Sequence, residues 1–106
     1  MPDTPPTVAV LTAQPLEYTA ERGSALRKKG RMAEAVEAYA KALEVYQEFE
    51  DWYWTGKVLY NLALLHGDAG RSPEAHTCFL QSADAFTRAN APTEAAQARA
   101  RAAEQQ

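Results

Sequence analysis

The sequence predicts an all-α domain of two antiparallel helix hairpins followed by a C-terminal capping helix, and three observations carry that prediction. First, Gly30-Arg31-Met32-Ala33-Glu34-Ala35 returns as Gly70-Arg71-Ser72-Pro73-Glu74-Ala75, with Gly, Arg, Glu and Ala identical at an offset of 40 residues. Tyr39 and Phe79, Ala42 and Ser82, Glu44 and Asp84, and Tyr46 and Phe86 keep their character at the same offset. Self-similarity at a fixed period of this size marks a repeat architecture. Second, apolar residues recur at three-and-four spacing, the pattern of a helix that buries one face. Third, Gly30, Gly70 and Asn90-Ala91-Pro92 interrupt these stretches with residues that end helices or start them.

Composition narrows the class further. With 106 residues, 46% hydrophobic and 24% charged, the chain has material for one domain and little room for a large buried cavity. A net charge of −3 gives no electrostatic reason to expect nucleic acid or an anionic membrane as partner. Cys78 is the single cysteine, which excludes an intramolecular disulfide framework. No signal sequence is recognised, and no apolar run approaches the roughly 20 residues that span a bilayer. A soluble protein of the reducing cytoplasm is expected.

Taken in order, Pro2, Pro5 and Pro6 remove backbone donors, so residues 1–14 are expected to form a flexible tail. Its apolar patch Val8-Ala9-Val10-Leu11 is free to be covered by the domain or by another copy. Pro15 suits the first turn of a helix over roughly 15–29, closed by Gly30. A second helix starts near Met32 with Val36, Tyr39, Ala40, Leu43 and Tyr46 inward and Glu37, Lys41, Glu44 and Glu48 outward. Asp51 is a good N-cap for a third helix over 52–69, apolar on more than one stripe and so expected between two neighbours. Gly70 stops it; Ser72 as N-cap and Pro73 start a fourth that runs to about Ala89. The Ala-rich segment from Thr93 to Glu104 suits a capping helix, small inward and polar outward. The divisions are a tail at 1–14, repeat one at 15–50, repeat two at 51–90 and a cap at 91–105.

The spacing Ala, three residues, aromatic, two residues, Ala or Ser after a Gly is carried by Gly30, Ala35, Tyr39 and Ala42, and again by Gly70, Ala75, Phe79 and Ser82. Upstream stand Gly23 and Leu26 in the first unit and Leu59, Leu62 and Ala63 in the second. Small residues at Ala35, Ala63 and Ala75 let helices approach while the aromatic fills the space between pairs. Over residues 16–104 this resembles the tetratricopeptide repeat family. The 40-residue period and the run Leu59 to His66 are similar to the longer repeats of kinesin light chains and bacterial regulatory members. Repeat one departs from the pattern at Thr19 and Arg22, where a large apolar residue is usual.

The resemblance implies a right-handed superhelix whose first helices line a concave groove that holds a peptide or protein segment. Carried over position by position, the groove takes Glu17, Ala20, Glu21, Ser24, Arg27 and Lys28 from the first repeat. The second repeat gives Lys57, Tyr60, Asn61, Leu64 and Asp68, and the partial third gives Gln97, Ala100, Arg101 and Glu104. Asn61 is the position at which family members often hold a peptide backbone through two hydrogen bonds. Only Asn61 and Arg101 match the clamp of the chaperone-binding members, which argues against that partner class.

Three consecutive aromatics, Trp52, Tyr53 and Trp54, point about 100° apart on a helix, so at least one is exposed or at an interface. They make a homodimer the alternative function, against a wrapping of Tyr46 and Phe49 by the same rings. A third possibility is a sensor with a small apolar ligand against Tyr60, Leu64 and His66. His76 and Cys78 are two apart on a helix and point apart, which defeats chelation. There is no phosphate-binding glycine loop and no nucleophile with an identifiable base, so neither an enzyme nor a cofactor is expected. Arg22, Arg27, Lys28, Lys29 and Arg31 form the one basic cluster, which suits a helix C-terminus or an acidic ligand.

Overall fold

The computed structural model describes residues 31–105. They form four helices: α1 (Met32–Glu48), α2 (Trp52–Asp68), α3 (Ser72–Arg88) and α4 (Pro92–Glu104). The expected tail and the helix over 15–29, with Glu21, Ser24, Arg27 and Lys28, lie outside the described residues. Each helix packs against its neighbours in sequence. None is long and apolar enough to cross a membrane.

The helices begin at residues 32, 52, 72 and 92, so each starts 20 residues after the last. One turn, used three times, sets this step. Its central residue takes the left-handed conformation, with φ of 55° at Glu50, 77° at Gly70 and 58° at Asn90. The next amide reaches back to close the preceding helix: Asp51 to the Tyr46 carbonyl at 2.9 Å, Arg71 to His66 at 2.8 Å, and Ala91 to Phe86 at 2.9 Å. The left-handed residue's own amide bonds the carbonyl three residues earlier at 3.0–3.1 Å. This double closure satisfies carbonyls that a helix end otherwise leaves unpaired. Asn tolerates the conformation and Gly is free of strain there, but Glu50 carries a Cβ with no such excuse.

The residue after each turn is already the N-cap of the next helix. Asp51 fills that place as expected, its carboxylate accepting from the Trp54 amide at 3.2 Å, a contact of about 1 kcal/mol. The cap of α3 differs from expectation: it is Arg71, without a side-chain cap, and Ser72 is the first helical residue. Only Arg71 stands between the left-handed Gly70 and the first helical residue, so the cap falls one residue earlier than Ser72. Pro73 and Pro92 stand in the first turns of their helices, where a missing amide costs nothing.

On α1 the buried set is Ala35, Tyr39, Ala42, Val45 and Tyr46. Ala40 was expected inward and is exposed, because the stripe centres on Tyr39 and Tyr46, seven residues apart, and places Ala42 rather than Ala40 beneath them. Glu37, Lys41, Glu44 and Glu48 are exposed as expected. Helix α2 does lie between two neighbours. Toward α1 it offers Val58 and Leu65, with Trp54 and Leu62 at the margin, to the core built on Tyr39 and Tyr46. Toward α3 it offers backbone: an added Cβ on Gly56 would stand 2.8 Å from the Phe86 ring. The Ser82 hydroxyl donates to the Gly56 carbonyl at 2.7 Å. A further core joins Ala63, Ala75, Cys78, Phe79 and Ala102, and α4 turns Ala95, Ala98 and Ala102 inward. His76 Nδ1 donates to the Ala102 carbonyl at 2.8 Å, tying α3 to the last turn of α4.

Candidate functional site

Helices α2 and α4 both flank α3, and toward the start of each a groove opens between them above α3. It encloses about 280 Å³ and is lined by Lys57, Tyr60 and Asn61 of α2, Phe86 of α3, and Glu94 and Gln97 of α4. Three of the six residues are candidates named from the sequence on one helix: 57, 60 and 61 fall on one face because the spacing is three and four. Tyr60 is braced edge-on by Phe79, with ring centres 5.2 Å apart. Tyr53 braces Phe86 in the same manner at 5.6 Å. Phe86 is only 2% exposed, so its ring is a fixed floor.

Polar capacity converges over that floor. Among the described residues the side chains of Asn61, Gln97 and Glu94 make no hydrogen bond or ion pair. Lys57 is held instead by rings, its Nζ lying 5.8 Å from the centre of Tyr53 and 5.7 Å from that of Trp54. Two amides, one cation and one anion thus face a common space above an aromatic base.

Other candidates fall elsewhere. Leu64 packs beside the Phe79 core, not in the groove. Arg101 is exposed on α4 and does not line it either. His66, proposed beside Tyr60 and Leu64, is half-buried in the last turn of α2 with Nδ1 enclosed and without a partner. Burial, reinforced by Arg71 and opposed by Glu74, lowers its pKa below the ordinary value. Burial, with Glu74 adding to it, pushes the Cys78 thiol up, so this packed cysteine is a poor nucleophile. Among the described residues no three His, Cys, Asp or Glu side chains gather in a way that could hold a metal.

The aromatic trio is divided by the helix as its spacing requires. Trp54 stacks on Tyr46 with ring centres 5.9 Å apart, and Trp52 lies under Arg88 at 4.9 Å. Tyr53 is 36% exposed and its neighbour across the turn, Phe49, 50%. Of the basic cluster only Arg31 is described, and its guanidinium pairs with Glu34.

Two groove residues escaped sequence reasoning. Phe86 stands in the sequence only as the repeat partner of Tyr46, and Glu94 only as a polar residue of the Ala-rich segment. The signal for Phe86 was Gly56, a glycine in mid-helix that asks which large group needs its space.

Helix hairpins repeated at a constant step, with an open groove between alternate helices, define a helical-repeat scaffold. A family model described as tetratricopeptide repeat matches residues 15–88, and the chain belongs to that family. Repeats of this family typically lack catalysis and generally mediate protein–protein interactions. No curated protein and no solved structure matches the chain.

Proposed function

We propose that this protein is a non-enzymatic interaction module, an adaptor or regulatory accessory, that holds an extended protein segment in the groove between α2 and α4, with α4 acting as the cap. The observation that carries this is the convergence of Lys57, Asn61, Glu94 and Gln97, none bonded to another described side chain, above Phe86. Amides that can donate and accept at once suit a peptide backbone, and the ring floor suits an apolar side chain.

A panel of fluorescein-labelled peptides titrated against the full chain tests it. For any peptide that binds, Asn61→Ala is expected to weaken binding about tenfold, the value of a lost hydrogen-bond pair, with the thermal midpoint nearly unchanged. An equal effect on both would make Asn61 structural.

Self-association through the α1–α2 turn is a second proposal, favoured by the exposure of Phe49 and Tyr53 on either side of that turn. Light scattering decides it, since a monomer mass that holds at every concentration would exclude a homodimer.

A further inference from the structure

We infer that the groove selects segments carrying one acidic and one basic side chain about an apolar centre; this rests on the groove being a peptide site. Lys57 and Glu94 line the same cavity from opposite helices. Among the described residues neither joins an ion pair. The lysine's position explains why. Its ammonium lies over Tyr53 and Trp54 at 5.8 and 5.7 Å, which fixes it on the α2 wall. Tyr53 is in turn braced on Phe86 at 5.6 Å and Trp54 on Tyr46 at 5.9 Å. The bracket is therefore built into the fold, and the cation is placed without the entropy that a free lysine gives up on binding. Glu94, in the first turn of α4, is left half-buried on the facing wall.

A ligand that bridges the two walls meets both charges. A carboxylate beside Lys57 and an ammonium or guanidinium beside Glu94 are each favoured, and the apolar centre rests on Phe86 and Tyr60. A segment with two acidic side chains sets one against Glu94, and a segment with two basic side chains sets one against Lys57. Discrimination then comes as much from repulsion as from attraction. In a partly desolvated groove each matched charge is expected to give about a tenfold preference. Because opposite walls carry opposite charges, reversing either one changes the preferred class, whichever way round the peptide lies.

The test is fluorescence anisotropy on the full chain. The probes are labelled hexapeptides that share an apolar-aromatic centre and carry flanking Glu and Lys, two Glu, two Lys, or two Gln. The wild-type protein is expected to prefer the mixed-charge peptide about tenfold over either like-charged one, with the margin shrinking as salt rises. Glu94→Lys should transfer the preference to the two-Glu peptide and Lys57→Glu to the two-Lys peptide, with circular dichroism confirming a helical fold. If either reversal unfolds the chain, Glu94→Gln and Lys57→Gln replace them. Each should then raise the relative affinity of the two-Glu or two-Lys peptide, respectively, several-fold. Equal binding of all four peptides, or variants that keep the wild-type order, overturns the charge selectivity while the groove remains a peptide site. No binding by any of them overturns both.

Discussion

The two faces of α2 are built on opposite principles. Toward α1 the contact is made by bulk: Val58 and Leu65 meet Tyr39 and Tyr46, and Trp54 stacks on Tyr46 with planes 17° apart. Toward α3 it is made by absence: Gly56 gives up its side chain so that Phe86 can lie against the backbone, and Ala63 and Ala75 do the same further along. The Ser82 hydroxyl bonds a carbonyl that only so close an approach brings within reach. One face is therefore vulnerable to truncation and the other to enlargement, although both belong to one helix of 17 residues.

Substitutions of opposite kind should separate the faces. Tyr39→Ala removes the fully buried ring at the centre of the α1 face and is expected to cost about 3–5 kcal/mol in denaturant unfolding. Gly56→Ala adds one methyl group to the other face and meets the Phe86 ring at under 3 Å. Overpacking of about 1–3 kcal/mol, reduced by alanine's helix preference of about 1 kcal/mol, leaves a net loss of roughly 0–2 kcal/mol. The sharper form of this prediction is the double variant with Phe86→Leu. If close approach is the cause, the alanine costs less in that background than in the wild type; equal cost would place the fault in the helix itself.

Smaller effects belong to the ends of the faces. Glu50→Gly should stabilise by about 0.5 kcal/mol, because relief of about 1–2 kcal/mol of left-handed strain exceeds the entropy that glycine loses. The thermal midpoint reads this directly. At the far end, the lowered pKa of His66 makes the folded state bind its proton less readily than the unfolded chain. Stability is then fully present above the unfolded value of 6.5 and falls as pH drops through it toward the folded value. His66→Gln should flatten that slope, and an unchanged slope would place the titration elsewhere.

Much of this was legible in the sequence because the repeat repeats its punctuation as well as its core. Gly70, Asp51 and Pro92 announce turns by known chemistry, and Ala35, Tyr39, Ala75 and Phe79 sit buried where their spacing places them. The turn at Glu50 was not legible in its geometry, since nothing about glutamate signals a left-handed backbone; the neighbouring helices impose it. For the same reason Arg71 gave no sign of being the α3 cap. On the site, Lys57, Tyr60 and Asn61 could be placed together because one helix holds them. Phe86 and Glu94 could not, because their presence depends on how α3 and α4 lie across α2. A spacing rule works within one element and stops at its edge.

The constant step has a mechanical consequence. Each described helix leans chiefly on its neighbours in sequence, and the turns recur every 20 residues. Drawn out from the α4 end, the molecule should yield one helix at a time. After the shorter α4, each release would free a segment of 20 residues, some 65 Å of extended chain at about 3.3 Å per residue. A force trace would then show teeth of equal length but unequal height. Length is set by the turns, which are alike, and height by the faces, which are not.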